Sequence, residues 1–212
     1  MNRANPLSGL YAITDRELAA GQDLATQVAA ALAGGARIIQ YRDKGSERQR
    51  RLDEAGRLRQ LTREYDALLL INDDVELAVE IDADGVHLGR HDAGLEQARE
   101  RLGPDALIGI SCYNRLDLAH QAQRAGADYL AFGRFFPSRT KPQAVQATPE
   151  LLQRAKRELH LPLVAIGGIT PENGASLITA GADMLAVIHG VFGQPDIRQA
   201  CERFRPIFTA GG

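Results

Sequence analysis

Ala125-Gly-Ala-Asp-Tyr-Leu-Ala-Phe-Gly133 is echoed further along the chain by Ala180-Gly-Ala-Asp-Met-Leu-Ala-Val-Ile188. Looser versions are Gly34-Gly35-Ala36-Arg37-Ile38-Ile39 and Ala83-Asp84-Gly85-Val86-His87-Leu88. In each, a helix is predicted to end at glycine, because the position just past a helix favours positive φ. A short apolar strand then begins. Strands apolar on both faces belong to a parallel sheet covered by helices.

Working outward, such strands are predicted to start near Leu10, Ile38, Leu68, Gly85, Leu107, Tyr129, Leu163 and Met184. Helical patterns lie between them: Leu24–Ala33, Gln49–Tyr65, Val75–Val79, Leu95–Leu102, Leu116–Arg124, Pro149–Leu159, Asn173–Ala180 and Ile197–Phe208. Ser46-Glu47-Arg48-Gln49 has the form of a capping box for the second helix. The arginines of that helix, interleaved with Asp53, Glu54 and Glu64, read as a solvated outer face. Eight strand–helix alternations predict one α/β domain over residues 1–212, a closed (β/α)8 TIM barrel. An open doubly wound sheet is the alternative.

The chain has 212 residues, 44% of them hydrophobic, which suffices for one barrel core. A net charge of −2 gives no field favouring nucleic acid or an anionic membrane, and the absence of Trp argues against a base-stacking surface. No apolar run approaches a membrane span. Met1–Ser8 lacks a signal-peptide core, and Cys112 and Cys201 form no paired motif, so a cytoplasmic location is expected. A homodimer is one arrangement that the sequence allows.

In a barrel of this kind chemistry sits at the carboxyl ends of the strands. Gln40-Tyr41-Arg42-Asp43-Lys44 follows the second strand, and alternation puts Gln40, Arg42 and Lys44 on one side. The chain has 22 arginines but only three lysines, and two of these, Lys44 and Lys141, lie just beyond predicted strands. Lysine meets phosphate as a compact point charge and arginine as a planar fork. Asp73 and Asp92 follow neighbouring strands and could converge on one Mg2+, which takes few carboxylates and completes its shell with water and phosphate oxygens. Asp73, Asp74 or Asp92 could each instead cap the next helix. His87 and His91 have zinc-pair spacing, but His87 belongs to a strand and zinc is not expected.

Two anion sites follow. Gly167-Gly168-Ile169-Thr170-Pro171 lets backbone approach a ligand at Gly168 and then starts a helix, with Ile188-His189 at the eighth strand and Ser138 and Thr140 adding hydroxyls. The other site gathers Arg42, Lys44, Asn72, Lys141 and the two aspartates, enough positive charge for a diphosphate. Ser111 has no nucleophile elbow and Cys112 no histidine partner in sequence. The predicted chemistry is therefore positioning and charge stabilisation around a leaving diphosphate.

Leu10-Tyr-Ala-Ile-Thr-Asp15, Gln40-Tyr-Arg-Asp-Lys44, Ile71-Asn-Asp73, Gly85-Val-His-Leu-Gly89 with Asp92, Phe132-Gly-Arg-Phe-Phe-Pro-Ser-Arg-Thr-Lys141 and Ala165-Ile-Gly-Gly-Ile169, in this order, resemble the thiamine phosphate synthase family. The resemblance implies Mg2+-dependent coupling of hydroxymethylpyrimidine diphosphate to thiazole phosphate, giving thiamine phosphate and diphosphate by a dissociative route. It implies small-molecule substrates, with no nucleic acid or membrane partner. By position, Gln40, Tyr41, Arg42, Asp43, Lys44, Asn72, Ser111 and Lys141 would bind the pyrimidine diphosphate. Arg42, Lys44, Ser111 and Lys141 would form the catalytic set. Ser138, Arg139, Thr140, Gly168, Ile188 and His189 would bind the thiazole phosphate, and Asp73 and Asp92 would hold Mg2+. Arg90, Ser138 and His189 depart from the commonest family residues. A thiazole tautomerase-like protein and a non-catalytic phosphate-binding regulator are the rivals, and neither needs the paired aspartates.

Overall fold

The computed structural model describes residues 7–18, 23–89, 94–137 and 145–209. Eight parallel strands, β1 (Gly9–Ile13), β2 (Ile38–Tyr41), β3 (Leu68–Asn72), β4 (Gly85–Leu88), β5 (Leu107–Tyr113), β6 (Tyr129–Gly133), β7 (Leu163–Ile166) and β8 (Met184–Val187), pair in chain order. β8 pairs back onto β1, so the sheet is a closed (β/α)8 barrel and not an open one. Its helices are α1 (Leu24–Ala33), α2 (Arg48–Glu64), α3 (Val75–Glu80), α4 (Leu95–Leu102), α5 (Leu116–Arg124), α6 (Pro149–Glu158), α7 (Pro171–Thr179), α8 (His189–Phe192), α9 (Ile197–Glu202) and α10 (Arg205–Thr209).

Alternation divides each strand between two cores. Tyr11, Ile13, Ile38, Leu70, Tyr129, Ala131, Val164, Met184 and Ala186 fill the barrel interior. Their neighbours, such as Leu10, Ile39, Leu69, Val86, Leu130, Leu163 and Leu185, face the helices. Both faces are apolar because both are covered. Burying one such Leu or Ile is worth about 1.5–3 kcal/mol.

The recurring phrase marks the amino-terminal rim. Gly35, Gly126 and Gly181 adopt φ of 105°, 91° and 112° just past α1, α5 and α7. The Ala83–Leu88 version works otherwise: the left-handed residue there is Asp82 (φ 53°), and Gly85 already belongs to β4. The aspartate of the phrase has its own task. Asp84, Asp128 and Asp183 accept from the N–H of Leu69, Ile108 and Leu163 on the preceding strand, at 2.7, 2.8 and 2.8 Å. Each also meets a cation from a helix: Arg59 at 2.7 Å, Arg99 at 2.6 Å and Lys156 at 2.7 Å.

Three local expectations change. The Ser46 capping box does not form; Glu47 is the N-cap of α2 and makes no side-chain cap bond. Glu47 instead accepts from Arg50 Nε at 3.1 Å. The expected helix Ile197–Phe208 is two helices, because Pro206 has no N–H to offer the carbonyl of Glu202. The single turn α8 follows β8 directly, where no helix was expected.

Candidate active site

A cavity of about 330 Å³ opens among the carboxyl ends of the strands. Its floor is the top of the barrel core, and the polar residues at the strand ends enter it from one side. Gln40, Arg42, Asn72, His87 and Ser111 line it there, with Gly167, Gly168, Ile188 and His189 opposite.

The polar side is wired through the barrel. Gln40 Nε2 donates to the Tyr11 hydroxyl at 2.6 Å. The Tyr11 and Tyr129 hydroxyls lie 3.0 Å apart. His87 then bridges, with Nδ1 3.0 Å from the Tyr129 hydroxyl and Nε2 2.9 Å from Ser111 Oγ. Register explains the meeting: His87 stands opposite Gly109, and Gly109 opposite Tyr129. A Cβ at Gly109 would fall 1.9 Å from Tyr129 Cζ, so only glycine admits the ring. The Tyr129 ring in turn stacks on His87, their centroids 5.6 Å apart. Burial pushes both phenols well above their ordinary pKa, so they stay neutral donors and acceptors.

In the sequence pattern Tyr11 and Tyr129 read as apolar strand residues, and His87 stands out by its spacing to His91 and within Gly85-Val-His-Leu-Gly89. A polar tip at an inward position of an otherwise apolar strand was the available signal.

The expected loop residues split by alternation. Gln40 and Arg42 face the cavity. Arg42 Nη1 lies 3.8 Å from Asp15, and its N–H donates to Thr14 Oγ1 at 2.9 Å. Tyr41 and Asp43 turn the other way, toward α2: the Tyr41 hydroxyl donates to Glu54 at 2.6 Å, and Asp43 pairs with Arg50 at 2.7 Å. Burial alone would raise the Asp43 pKa. Hydrogen bonds from Arg50 and Gly45, with the charges of Arg50 and Arg16, more than offset this and hold it below the usual carboxylate range. Lys44 is exposed and does not line the cavity.

The two aspartates after β3 divide their work. Asp74 caps α3, accepting from the Leu77 N–H at 2.9 Å, and pairs with Arg51 at 2.6 Å. Asp73 is left-handed (φ 63°) and accepts from Asn72 Nδ2 at 2.5 Å beside the cavity. A carboxylate at a rim of polar groups and cations is the hard oxygen donor that Mg2+ prefers. Among the described residues no three His, Cys, Asp or Glu side chains gather to hold a metal. Mg2+ does not require such a cluster when phosphate and water oxygens complete its shell. Asp92, with Arg90 and His91, lies outside the described residues, as do Ser138, Arg139, Thr140 and Lys141.

Opposite, Gly167 and Gly168 turn with φ of 104° and 64°. A Cβ at Gly168 would come within 2.3 Å of the Pro137 carbonyl oxygen. This is bare backbone held against the cavity, and α7 begins immediately after it with Pro171 in its first turn. Asn173 Oδ1 accepts from the Thr170 N–H at 2.9 Å and closes that end. His189 lines the cavity too. Its ring lies over Gly193, where a Cβ would fall 2.0 Å from Nδ1.

A sequence model described as thiamine monophosphate synthase matches residues 10–191. A thiamine-phosphate synthase of Nitrosococcus oceani is 53% identical over 207 residues, 98% of this chain and 95% of that protein. One of Thiobacillus denitrificans is 51% identical over 202 residues, 95% of each. The solved thiamine phosphate pyrophosphorylase of Pyrococcus furiosus superposes with a TM-score of 0.87 at 41% identity, covering 97% of both chains. With its closed barrel and a two-walled cavity at the carboxyl rim, the chain belongs to the thiamine monophosphate synthase family.

Proposed function

We propose that the chain couples 4-amino-2-methyl-5-hydroxymethylpyrimidine diphosphate with 4-methyl-5-(2-hydroxyethyl)thiazole phosphate, releasing thiamine phosphate and diphosphate. The observation that carries this reading is one cavity with two unlike walls: cationic and polar side chains on one, a bare backbone cradle on the other. Two anionic substrates can be held there face to face, which is what joining them requires.

In the proposed reaction the bond between the pyrimidine methylene and the diphosphate oxygen breaks, and the electron pair leaves with the diphosphate. The aminopyrimidine ring delocalises the resulting positive charge. The thiazole nitrogen then gives its lone pair to the methylene, closing a C–N bond and leaving a thiazolium. No proton moves, so no protein base is needed.

The residues act on charge and position. Arg42, with Lys141, meets the oxygens on which charge develops, and Lys44, exposed on the same loop, would turn in toward them when the substrate is bound. The chain from Gln40 gives Ser111 a direction. The Gln40 amide donates to Tyr11, and the reading assigns the remaining protons in the same sense, from Tyr11 to Tyr129, from Tyr129 to His87 Nδ1 and from His87 Nε2–H to Ser111 Oγ, across contacts of 3.0, 3.0 and 2.9 Å. Ser111 then keeps its own proton for an oxygen of the leaving group. Asp73, with Asp92, would hold Mg2+, which supplies further positive charge to the diphosphate. Gly168 and the backbone at Ile188-His189, with Ser138, Arg139 and Thr140, would seat the thiazole phosphate. The deeper polar groups, Gln40 and Asn72, would orient the pyrimidine.

The test is an assay with both substrates and Mg2+. Formation of thiamine phosphate, abolished by a chelator and restored by Mg2+, supports the reading. Isomerisation of the thiazole without coupling would overturn it.

A further inference from the structure

Arg50 belongs to the row of α2 arginines that the sequence pattern assigns to solvent, yet only 24% of its side chain is exposed. Three carboxylates account for this. Nη1 lies 2.7 Å from Asp43 Oδ2 and 2.8 Å from Glu54 Oε2, and Nε donates to Glu47 Oε2 at 3.1 Å. The same Glu54 oxygen accepts from the Tyr41 hydroxyl at 2.6 Å. Asp43 is 3% exposed at its side chain, and its other oxygen accepts from the Gly45 N–H at 2.6 Å.

Positions 41, 43 and 45 are thus fastened together on the side away from the cavity. Arg42, between the first two, faces the cavity and is fixed from the opposite side by Thr14. Lys44 sits between the second pair. The loop has left the sheet ladder at Tyr41, so these side-chain bonds replace strand pairing in setting its course. Glycine suits position 45 because a Cβ there would lie 2.9 Å from Asp43 Oδ1, Arg16 Nη1 and Arg50 Nη2 alike.

We propose that Arg50 is a positioning residue: by clamping Asp43 it sets the loop that carries Arg42 and Lys44, and so governs capture of a diphosphate-bearing substrate that it does not touch. The inference rests on the reading above, in which Arg42 and Lys44 meet the diphosphate. It is not an effect of charge at a distance. Asp43 is itself an anion, so its own charge disfavours an anionic ligand nearby. The two mechanisms therefore predict opposite signs for Asp43→Asn. Neutralising the carboxylate should help an anion bind if only charge matters, and should hurt if Asp43 holds the loop.

Steady-state kinetics on Asp43→Asn, Arg50→Lys, their combination and Arg42→Ala provide the test, with thermal unfolding run alongside. Asp43→Asn and Arg50→Lys are each expected to raise KM for the pyrimidine diphosphate about tenfold, because the first removes the carboxylate that is clamped and the second replaces a planar fork, whose Nη1 and Nε reach separate carboxylates, by a single point charge. KM for the thiazole phosphate should stay within about twofold, and the combination should be no worse than either change alone, as for partners in one contact. If Arg42→Ala raises the diphosphate KM but Asp43→Asn leaves it unchanged or lowers it, the positioning role is overturned alone. If Arg42→Ala also leaves it unchanged, the assignment of the diphosphate to this loop falls, and the inference with it.

Discussion

His87 Nε2 lies 2.9 Å from Ser111 Oγ, while Nδ1 of the same ring lies 3.0 Å from the Tyr129 hydroxyl. The imidazole thus ties a residue at the cavity to one buried inside the barrel. Tyr129→Phe keeps the ring over Gly109 and removes only the link. We expect a loss of about 1–2 kcal/mol in stability, because Tyr11 loses a buried partner. Turnover should fall about tenfold from misdirection of Ser111, with KM for the thiazole phosphate unchanged. Calorimetry and steady-state rates check both.

Gly168→Ala puts a methyl where the Pro137 carbonyl oxygen stands 2.3 Å away, at a residue with φ of 64°. The backbone must shift, at a cost of about 1–3 kcal/mol. KM for the thiazole phosphate should rise at least about tenfold, while KM for the pyrimidine diphosphate changes little. Equal effects on both substrates would contradict the separation of the two walls.

Charge on the other wall should matter to the chemical step. Arg42→Lys loses the fork geometry, Asp92→Ala removes a carboxylate assigned to Mg2+, and Lys141→Ala removes a cation assigned to the diphosphate. Turnover should fall about a hundredfold or more for the latter two, with unfolding temperatures near wild type. Near-normal single-turnover rates in either would remove it from the site.

The far rim should behave in the opposite way. Asp128 accepts from the Ile108 N–H and from Arg99, well away from the cavity. Asp128→Ala should lower stability by about 1–3 kcal/mol, since a strand N–H loses its acceptor and Arg99 keeps only backbone carbonyls in place of a carboxylate. Under conditions where the protein stays folded, kcat should be unaffected. Urea unfolding paired with a rate assay tests this.

Alkali should destabilise the fold. Burial pushes Cys112 and Cys201 up to about 12 from 9.0, and raises Tyr11 and Tyr129 as well. Between about pH 9 and 12 the unfolded chain gives up these protons and the folded chain keeps them. Stability must fall as pH rises through that window. Asp43 acts in the acid range: its lowered pKa stabilises the fold above the ordinary carboxylate value and ceases to do so as pH falls below it. Unfolding free energy measured from about pH 2 to 11 should therefore decline at both ends. At pH 8 neither thiol should react with a disulfide reagent until the protein is unfolded.

Strand starts were legible because parallel barrel strands are apolar runs punctuated by glycine. Leu68, Gly85, Leu107, Tyr129, Leu163 and Met184 begin strands where the pattern puts them. Local signals failed where a competing partner or turn took over. Glu47 went to Arg50, three residues on, and no capping box formed; Asp82 took the left-handed turn expected of glycine. In the site, alternation alone separates Gln40 and Arg42 from Tyr41 and Asp43. The Tyr11–Tyr129 bond spans 118 positions and depends on barrel closure, which no local pattern encodes.

The most direct measurement is a crystal structure with a non-hydrolysable pyrimidine diphosphate analogue, thiazole phosphate and Mg2+ bound together. The diphosphate should lie within hydrogen-bonding reach of Arg42, the metal on Asp73, and the thiazole phosphate on the Gly168 backbone, with the thiazole nitrogen facing the pyrimidine methylene. Both anions on one wall, or either one bound outside the rim cavity, would contradict a single site that joins two substrates.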